Sequence, residues 1–407
     1  MNYEEILKKL MDDADVRKLM AYLKELDEET LNNQLELVQI PSPSLEEGER
    51  AKRFYELLAP LGLDSLSVDE AGNVIGVLKG SGKGPTLVLA AHMDTVFDRK
   101  TELKPRFENG RIYAPGIGDD TRGMVEVLAV AKAMTALGLR ARGDIWFVGN
   151  VGEETMGDLK GSRTLFKNHG KEIGGFLSVD LGKVGDITAT AVAGRKLRFT
   201  FRGKGGHALS NFGFPNANNA LGRAIALIAD IEVPQTPRTI FNVGIVKGGT
   251  SINAIPEEAE MLVDMRSIDG EILETLVEKV RAAVRKGLEQ ELARWNHPTE
   301  TLTLAEELVS ERPGGIQSRE DPIVAAAVAA DALFGAESVV GYASTDANIP
   351  ISMGIPALAL GRGGISYGAH TTEESYDPRD AYEGPQRLAL LALALAGFGG
   401  VAEPILK

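Results

Sequence analysis

The run Thr86-Leu87-Val88-Leu89-Ala90-Ala91 is apolar without interruption and ends on His92-Met93-Asp94. Such a run, with no polar alternate, is the pattern of a strand buried on both faces of a sheet. Residues 144–148 and 176–179 repeat the pattern, and residues 123–137 carry helical spacing between the first two runs. Strands alternating with helices indicate an α/β sheet. Working outward, residues 73–78 read as a further strand closed by the turn Gly80-Ser81-Gly82-Lys83-Gly84. The first 30 residues place Ile6, Leu7, Leu10, Met11, Leu19, Met20 and Leu23 at helical spacing, predicting one or two amphipathic helices. Another helix is expected over residues 46–61, with Ser44 as its N-cap after Pro41-Ser42-Pro43.

From about Arg195 the texture changes. Residues 196–202, 239–247 and 258–266 alternate in the strand manner, and residues 218–231 and 270–294 read as helices. After Pro313-Gly314-Gly315 the apolar α/β texture returns over residues 323–333, 338–340 and 357–360. The expected architecture is α/β: a discontinuous mixed-sheet catalytic domain, residues 1–193 and 312–407, interrupted by an inserted α+β domain, residues 194–311.

Composition narrows the chemistry. The chain has 407 residues, 43% of them hydrophobic and 25% charged, which is ordinary for a globular protein of two or three domains. It has no cysteine, so disulfides, thiolate zinc sites and cysteine nucleophiles are excluded, and any metal must sit on His, Asp and Glu. The net charge of −14 argues against nucleic acid or an anionic membrane as partner. The longest apolar run, residues 388–402, falls short of the roughly 18 residues of a membrane span and reads as a buried helix. The start, Met1-Asn2-Tyr3-Glu4-Glu5, has no apolar core of signal-peptide type; a cytoplasmic location is expected.

The polar residues at the strand ends carry the chemistry. In open α/β sheets ligands bind at the carboxyl ends of the strands. His92 stands at such an end, with Asp94 two residues on, the spacing of a metal ligand and the carboxylate that orients it. Gly116-Ile117-Gly118-Asp119-Asp120 sets two carboxylates before the helix that begins near Arg122; helix capping accounts for one of them more easily than for both. Glu153-Glu154 follows the strand at 144–148, and neighbouring carboxylates repel unless a cation or proton intervenes. Asp180 ends the strand at 176–179, and His370 lies in a glycine-rich loop after 357–360. Each has an ordinary surface or capping explanation alone; three acidic or imidazole strand ends together are harder to explain so. Imidazole and carboxylate donors without sulfur suit Zn²⁺, Mn²⁺ or Co²⁺.

His92-Met93-Asp94-Thr95-Val96, Gly116-Ile117-Gly118-Asp119-Asp120, Glu153-Glu154, Asp180 and His370-Thr371-Thr372-Glu373-Glu374 resemble, in order and spacing, the M20 metallopeptidases, the di-zinc aminoacylase, carboxypeptidase G and peptidase T relatives. The resemblance runs from about Pro41 to the C-terminus. It implies two zinc ions, with cobalt or manganese as alternatives. His92, Asp119 and Asp180 would hold one, and Asp119, Glu154 and His370 the other. Asp94 would orient His92, and Glu153 would act as general base. One departure is that Thr121 separates the Asp119-Asp120 pair from Arg122, where many relatives have the basic residue directly after the pair; the bridge is assigned to Asp119, with Asp120 as alternative. In the insertion, Gly205-Gly206-His207-Ala208, Asn253-Ala254-Ile255-Pro256 and Asp264-Met265-Arg266 resemble the family's lid or dimerisation module. His207, Asn253 and Arg266 would then contact the substrate, and a homodimer would form through the inserted domain. The implied substrate is a small peptide or an N-acyl amino acid.

Rival readings are weaker. Gly364-Ile365-Ser366-Tyr367-Gly368 fits the serine-hydrolase elbow pattern, but His370 is the only histidine downstream and lies in the same loop. Gly80-Ser81-Gly82-Lys83-Gly84 lacks the phosphate-loop spacing and the Ser/Thr after its lysine. A non-catalytic binding protein on this scaffold would be favoured by a missing ligand or base, and none is missing.

Overall fold

The structure is a computed structural model and describes residues 2–407. The chain divides into two compact units. One runs up to Ala191 and resumes over Ile316–Lys407; the other is Val192–Gly315.

The first unit is built on a mixed sheet. Its strand order is Ser65–Val68, Val74–Leu78, Ile145–Asn150, Thr86–His92, Ile173–Leu181, Ala357–Gly361 and Asp186–Ala191, with Val339–Ala343 also paired to the last of these. The four strands from Ile145–Asn150 to Ala357–Gly361 are mutually parallel, so their carboxyl ends share one edge of the sheet. The apolar runs alternate between two cores, as a doubly covered sheet requires. Leu87, Leu89, Phe147, Leu177 and Val179 face one core with the helices Thr121–Ala136, Pro322–Leu333 and Glu383–Ala396. Val88, Ala90, Trp146, Val148 and Phe176 face the other, which Leu165 and Phe166 of the helix Lys160–His169 help to close.

Several local readings are refined by packing. Three helices, Tyr3–Asp12, Ala14–Glu25 and Asp27–Leu37, occupy the N-terminal segment rather than one or two. Asp13 causes the first break, because its carboxylate caps the second helix by accepting from the N–H groups of Asp15 and Val16. Ser44 does not cap the helix Gly48–Leu58; its hydroxyl donates to Asp94 Oδ2 at 2.6 Å instead. The apolar run at 388–402 is helical only as far as Ala396, and Gly397 ends it at φ +81°. The helix Lys160–His169 and the strand Asp186–Ala191 lie outside the elements read from the sequence; the helix has only Leu165 and Phe166 as apolar residues, and the strand alternates Ile187, Ala189 and Ala191 with threonines over just six residues.

The second unit is an antiparallel sheet in the order Thr239–Gly248, Glu258–Ser267, Ala193–Arg202, Thr303–Arg312, with the helices Ala217–Ala229 and Gly270–Trp295 against it. Thr303–Arg312 is an edge strand with mostly exposed side chains, which explains why apolar patterning did not reveal it. Gly287 lets the two helices approach closely, since a Cβ there would lie 2.6 Å from the backbone nitrogen of Ala224. Among the described residues, no helix of the chain is long and apolar enough to cross a membrane.

Candidate metal centre

The four parallel strands of the first unit deliver the site. His92 is the last residue of Thr86–His92 and pairs in register with Asn150, the last of Ile145–Asn150. Glu153 and Glu154 follow that second strand by a few residues. Asp180 lies near the end of Ile173–Leu181, and Arg362 follows Ala357–Gly361 directly. Asp119 comes from the turn that leads into the helix Thr121–Ala136.

Two triads form around Asp119. Its Oδ1 lies 3.1 Å from His92 Nε2, which in turn is 3.6 Å from Asp180 Oδ1. Its Oδ2 lies 3.2 Å from His370 Nε2, which is 2.8 Å from Glu154 Oε1. Within each triad one donor atom per residue falls inside 4.8 Å of the others. His92 with Glu153 and Glu154 forms a third group meeting the same criterion. Two imidazoles and carboxylates converging in this way fit hard or borderline divalent cations, Zn²⁺ among them. The sharing of Asp119 through opposite oxygens fits a pair of ions better than one.

Asp120 has other work. Its Oδ2 accepts from the N–H of His92 at 3.1 Å, and its Oδ1 from the N–H of Gly123 at 3.1 Å and from Arg362 Nε at 2.7 Å. It therefore caps the helix Thr121–Ala136 and fastens it to the His92 strand, with no oxygen turned to either triad. Capping accounts for Asp120, while Asp119 is left in both candidate metal-binding triads.

Asp94 ties the site together. The backbone carbonyl of Asp94 is the nearer partner of His92 Nδ1 at 3.0 Å, and its carboxylate stands 3.4 Å from the same nitrogen. The carboxylate oxygens also accept from the N–H groups of Glu153 and Glu154, each at 2.9 Å. The residue therefore contacts both the imidazole and the backbone of the adjoining glutamate pair. Burial works against charge at Asp94, but His92 holds its carboxyl below the ordinary value. Burial likewise opposes the His92 imidazolium, yet Asp119, Asp180 and Asp94 hold its pKa well above the ordinary value. Hydrogen bonds to Asp119 and Glu154 push half-exposed His370 up to about 10. Metal ligation requires the neutral imidazole, so protons compete for both histidines.

Three buried residues near the two triads are not among the candidates read from the sequence. Arg362 contacts Asp119, Asp120 and Asp180 together. Glu374, quoted above only as part of a motif, accepts from the N–H groups of Gly116, Gly118 and Asp119 at 2.8–2.9 Å and so pins the turn that carries Asp119. Asp346 is fully buried, receives the side-chain amide of Asn150, and is pushed by burial up to about 7. An arginine between glycines just after an apolar strand was the available signal for Arg362; Asp346 offered none.

His207, Asn253 and Arg266 belong to the second unit. His207 and Asn253 line one cleft of about 950 Å³ there, joined by the N–H of Ala208 to the carbonyl of Asn253 at 2.9 Å. Arg266 lies in the strand Glu258–Ser267 and pairs with Asp264 at 2.9 Å.

The chain also has relatives among known proteins. The chain is 28% identical to carboxypeptidase G2 of Pseudomonas sp. (strain RS-16) over 341 residues, covering 80% of this chain and 77% of that one. It is 28% identical to acetylornithine deacetylase of Myxococcus xanthus over 365 residues, covering 83% and 87%. A tripeptidase structure from Staphylococcus aureus subsp. aureus Mu50 superposes with a TM-score of 0.73 at 25% identity, covering 90% of this chain and 97% of that one. The model of peptidase family M20/M25/M40 matches residues 88–394, and the chain, a hydrolase with candidate metal-binding residues, belongs to that family.

Proposed function

We propose that the chain is a two-zinc hydrolase of amide bonds in small substrates, an exopeptidase acting on short peptides. The observation that carries the reading is Asp119, whose two oxygens face two separate triads. His92, Asp119 and Asp180 would hold one ion, and Asp119, Glu154 and His370 the other. Such a pair, zinc or in its place cobalt or manganese, supplies Lewis acidity and lowers the pKa of a water toward about 7.

The remaining work falls to the chain's own residues. Glu153 is buried and its backbone is held by Asp94. It takes the proton from the attacking water and returns it to the leaving amine. Asp94 keeps His92 and the Glu153-Glu154 pair in register. Glu374 keeps the Asp119 turn in place. His207, Asn253 and Arg266 are assigned to the substrate's carbonyl, amide and carboxylate groups; a guanidinium can grip a carboxylate through two hydrogen bonds. A cytoplasmic homodimer through the inserted unit completes the proposal. Its support is the exposed edge strand Thr239–Gly248, where Ile245 and Val246 are solvent-facing.

A deacylase of N-acyl amino acids is the second reading, favoured by the similarity to acetylornithine deacetylase. A panel of dipeptides, tripeptides, C-terminally varied peptides and N-acyl amino acids, assayed with zinc, manganese and cobalt, separates the two. The exopeptidase reading expects peptides to be turned over at least tenfold faster than acyl amino acids, and the reverse order sinks it. Glu153→Ala should lower kcat by about 10²–10⁴ with metal content unchanged; near-normal rates would remove Glu153 from its role.

A further inference from the structure

Arg362 places a buried positive charge among the acids of the centre. Its side chain is 4% exposed. Nη2 lies 2.9 Å from Asp119 Oδ1 and 2.9 Å from Asp180 Oδ1, Nε lies 2.7 Å from Asp120 Oδ1, and Nη1 reaches the carbonyl of Leu181 at 3.3 Å. One planar guanidinium thus serves three carboxylates and a carbonyl. The loop is shaped to hold it there. The N–H of Arg362 donates to the carbonyl of Leu181 at 3.1 Å, and the N–H of Gly363 donates to buried Glu126 at 2.6 Å. A Cβ on Gly363 would fall 2.0 Å from the carbonyl oxygen of Ala381, so glycine is required beside the arginine.

Two of the oxygens that Arg362 touches, Asp119 Oδ1 and Asp180 Oδ1, are also the ones that face His92 Nε2. A fixed guanidinium and a divalent cation would therefore share ligand atoms. Each relieves the repulsion among these carboxylates, and each repels the other. A buried carboxylate cluster that loses an adjacent fixed cation is strongly destabilised, and one that has gained divalent cations depends on that cation less. Binding linkage then ties the two: whatever stabilises the metal-free protein more than the loaded protein weakens metal binding by the same factor.

We propose that Arg362 is the centre's own countercation: a positioning residue that holds Asp119, Asp120 and Asp180 together in metal-free protein and limits how tightly the loaded centre binds its ions. The inference rests on the two-metal reading. Neither the motifs nor the assigned ligand set requires it, because Arg362 is in neither.

The test uses the full chain as wild type, Arg362→Met and Arg362→Lys. Each is stripped with a chelator, then studied by calorimetric melting with and without zinc and by competition with a chromophoric chelator. For Arg362→Met, the metal-free melting temperature should fall by on the order of 10 °C. The zinc-loaded form should fall by less than half as much, and the zinc Kd should tighten by about tenfold or more. Arg362→Lys keeps the charge but not the planar fork, and without metal should lose less than half of what Arg362→Met loses. Equal losses for Arg362→Met in both forms, or a weaker Kd, would overturn the proposal. If Arg362→Met folds only when zinc is present throughout expression, the proposal stands; if it fails to fold even then, while Arg362→Lys folds normally, the arginine is needed in the loaded state too and the proposal fails. Wild type that takes up no divalent ion would instead defeat the two-metal reading, and that result is visible in the wild-type samples alone.

Discussion

Asp119 and Asp120 are neighbours in sequence with opposite duties, and nothing in their order separates them. The separation comes from direction. Asp119 turns its two oxygens to His92 and His370, while Asp120 caps the helix behind it and accepts from the His92 backbone. His370 carries the clearest consequence at this scale. Its hydrogen bonds to Asp119 and Glu154 raise it from 6.5 to about 10, so in metal-free protein it holds a proton at neutral pH. A raised imidazole contributes stability fully below its ordinary value and loses it as pH rises through about 10. An ion bound there must displace that proton. Zinc titrations near neutral pH, run in buffers of different ionisation enthalpy, should therefore show release of at least one proton per chain. Equal heats in all buffers would contradict the assignment of His370. The residues of the candidate metal-binding triads were legible because each sits at or just beyond an apolar run or in a glycine-rich turn. Arg362 and Asp346 were not, because their importance lies in contacts made across more than 150 residues of chain.

Among elements, the strands buried on both faces were the most legible. Thr86–His92, Ile145–Asn150 and Ile173–Leu181 each announce themselves by an apolar run; the structure adds His92 to the first, Gly149 and Asn150 to the second in place of Asp144, and Ile173 to Gly175 with Asp180 and Leu181 to the third. Those added residues are the ones that matter, since His92, Asn150 and Asp180 all lie in them. Alternating strands were legible too, since residues 239–247 and 258–266 match Thr239–Gly248 and Glu258–Ser267 to within one residue, but a mostly exposed edge strand was not. Thr303–Arg312 buries little and shows no clean alternation. The strand Thr239–Gly248 sits at the opposite edge of the same sheet, with an irregularity in register between Val243 and Ile245 and exposed apolar side chains at Ile245 and Val246. An unpaired apolar edge is a ready template for another strand. The proposed homodimer would use it, and a charge placed there should disrupt pairing at little cost to the fold. Sedimentation velocity should show a dimer for wild type and a shift toward monomer for Val246→Lys. A wild-type monomer with full activity, or a dimer indifferent to the substitution, would remove this edge from the account.

For the whole molecule, the structure divides into two units with separate apolar cores, and the sequence changes texture near Arg195 and again after Gly315, because parallel and antiparallel sheets pattern their residues differently. Composition contributed by exclusion: with no cysteine, a metal centre in this chain had to be built from imidazole and carboxylate. Membership of peptidase family M20/M25/M40 fixes the class of chemistry; which small amide is cleaved depends on side chains outside the metal ligands, and sequence spacing carries little of that. What the account requires above all is a pair of ions held on either side of Asp119. Anomalous diffraction from crystals grown with zinc tests it directly. Two peaks about 3.5–4 Å apart are expected, one beside His92 and Asp180, the other beside Glu154 and His370, with Asp119 between them. A single peak, or peaks away from Asp119, would contradict it.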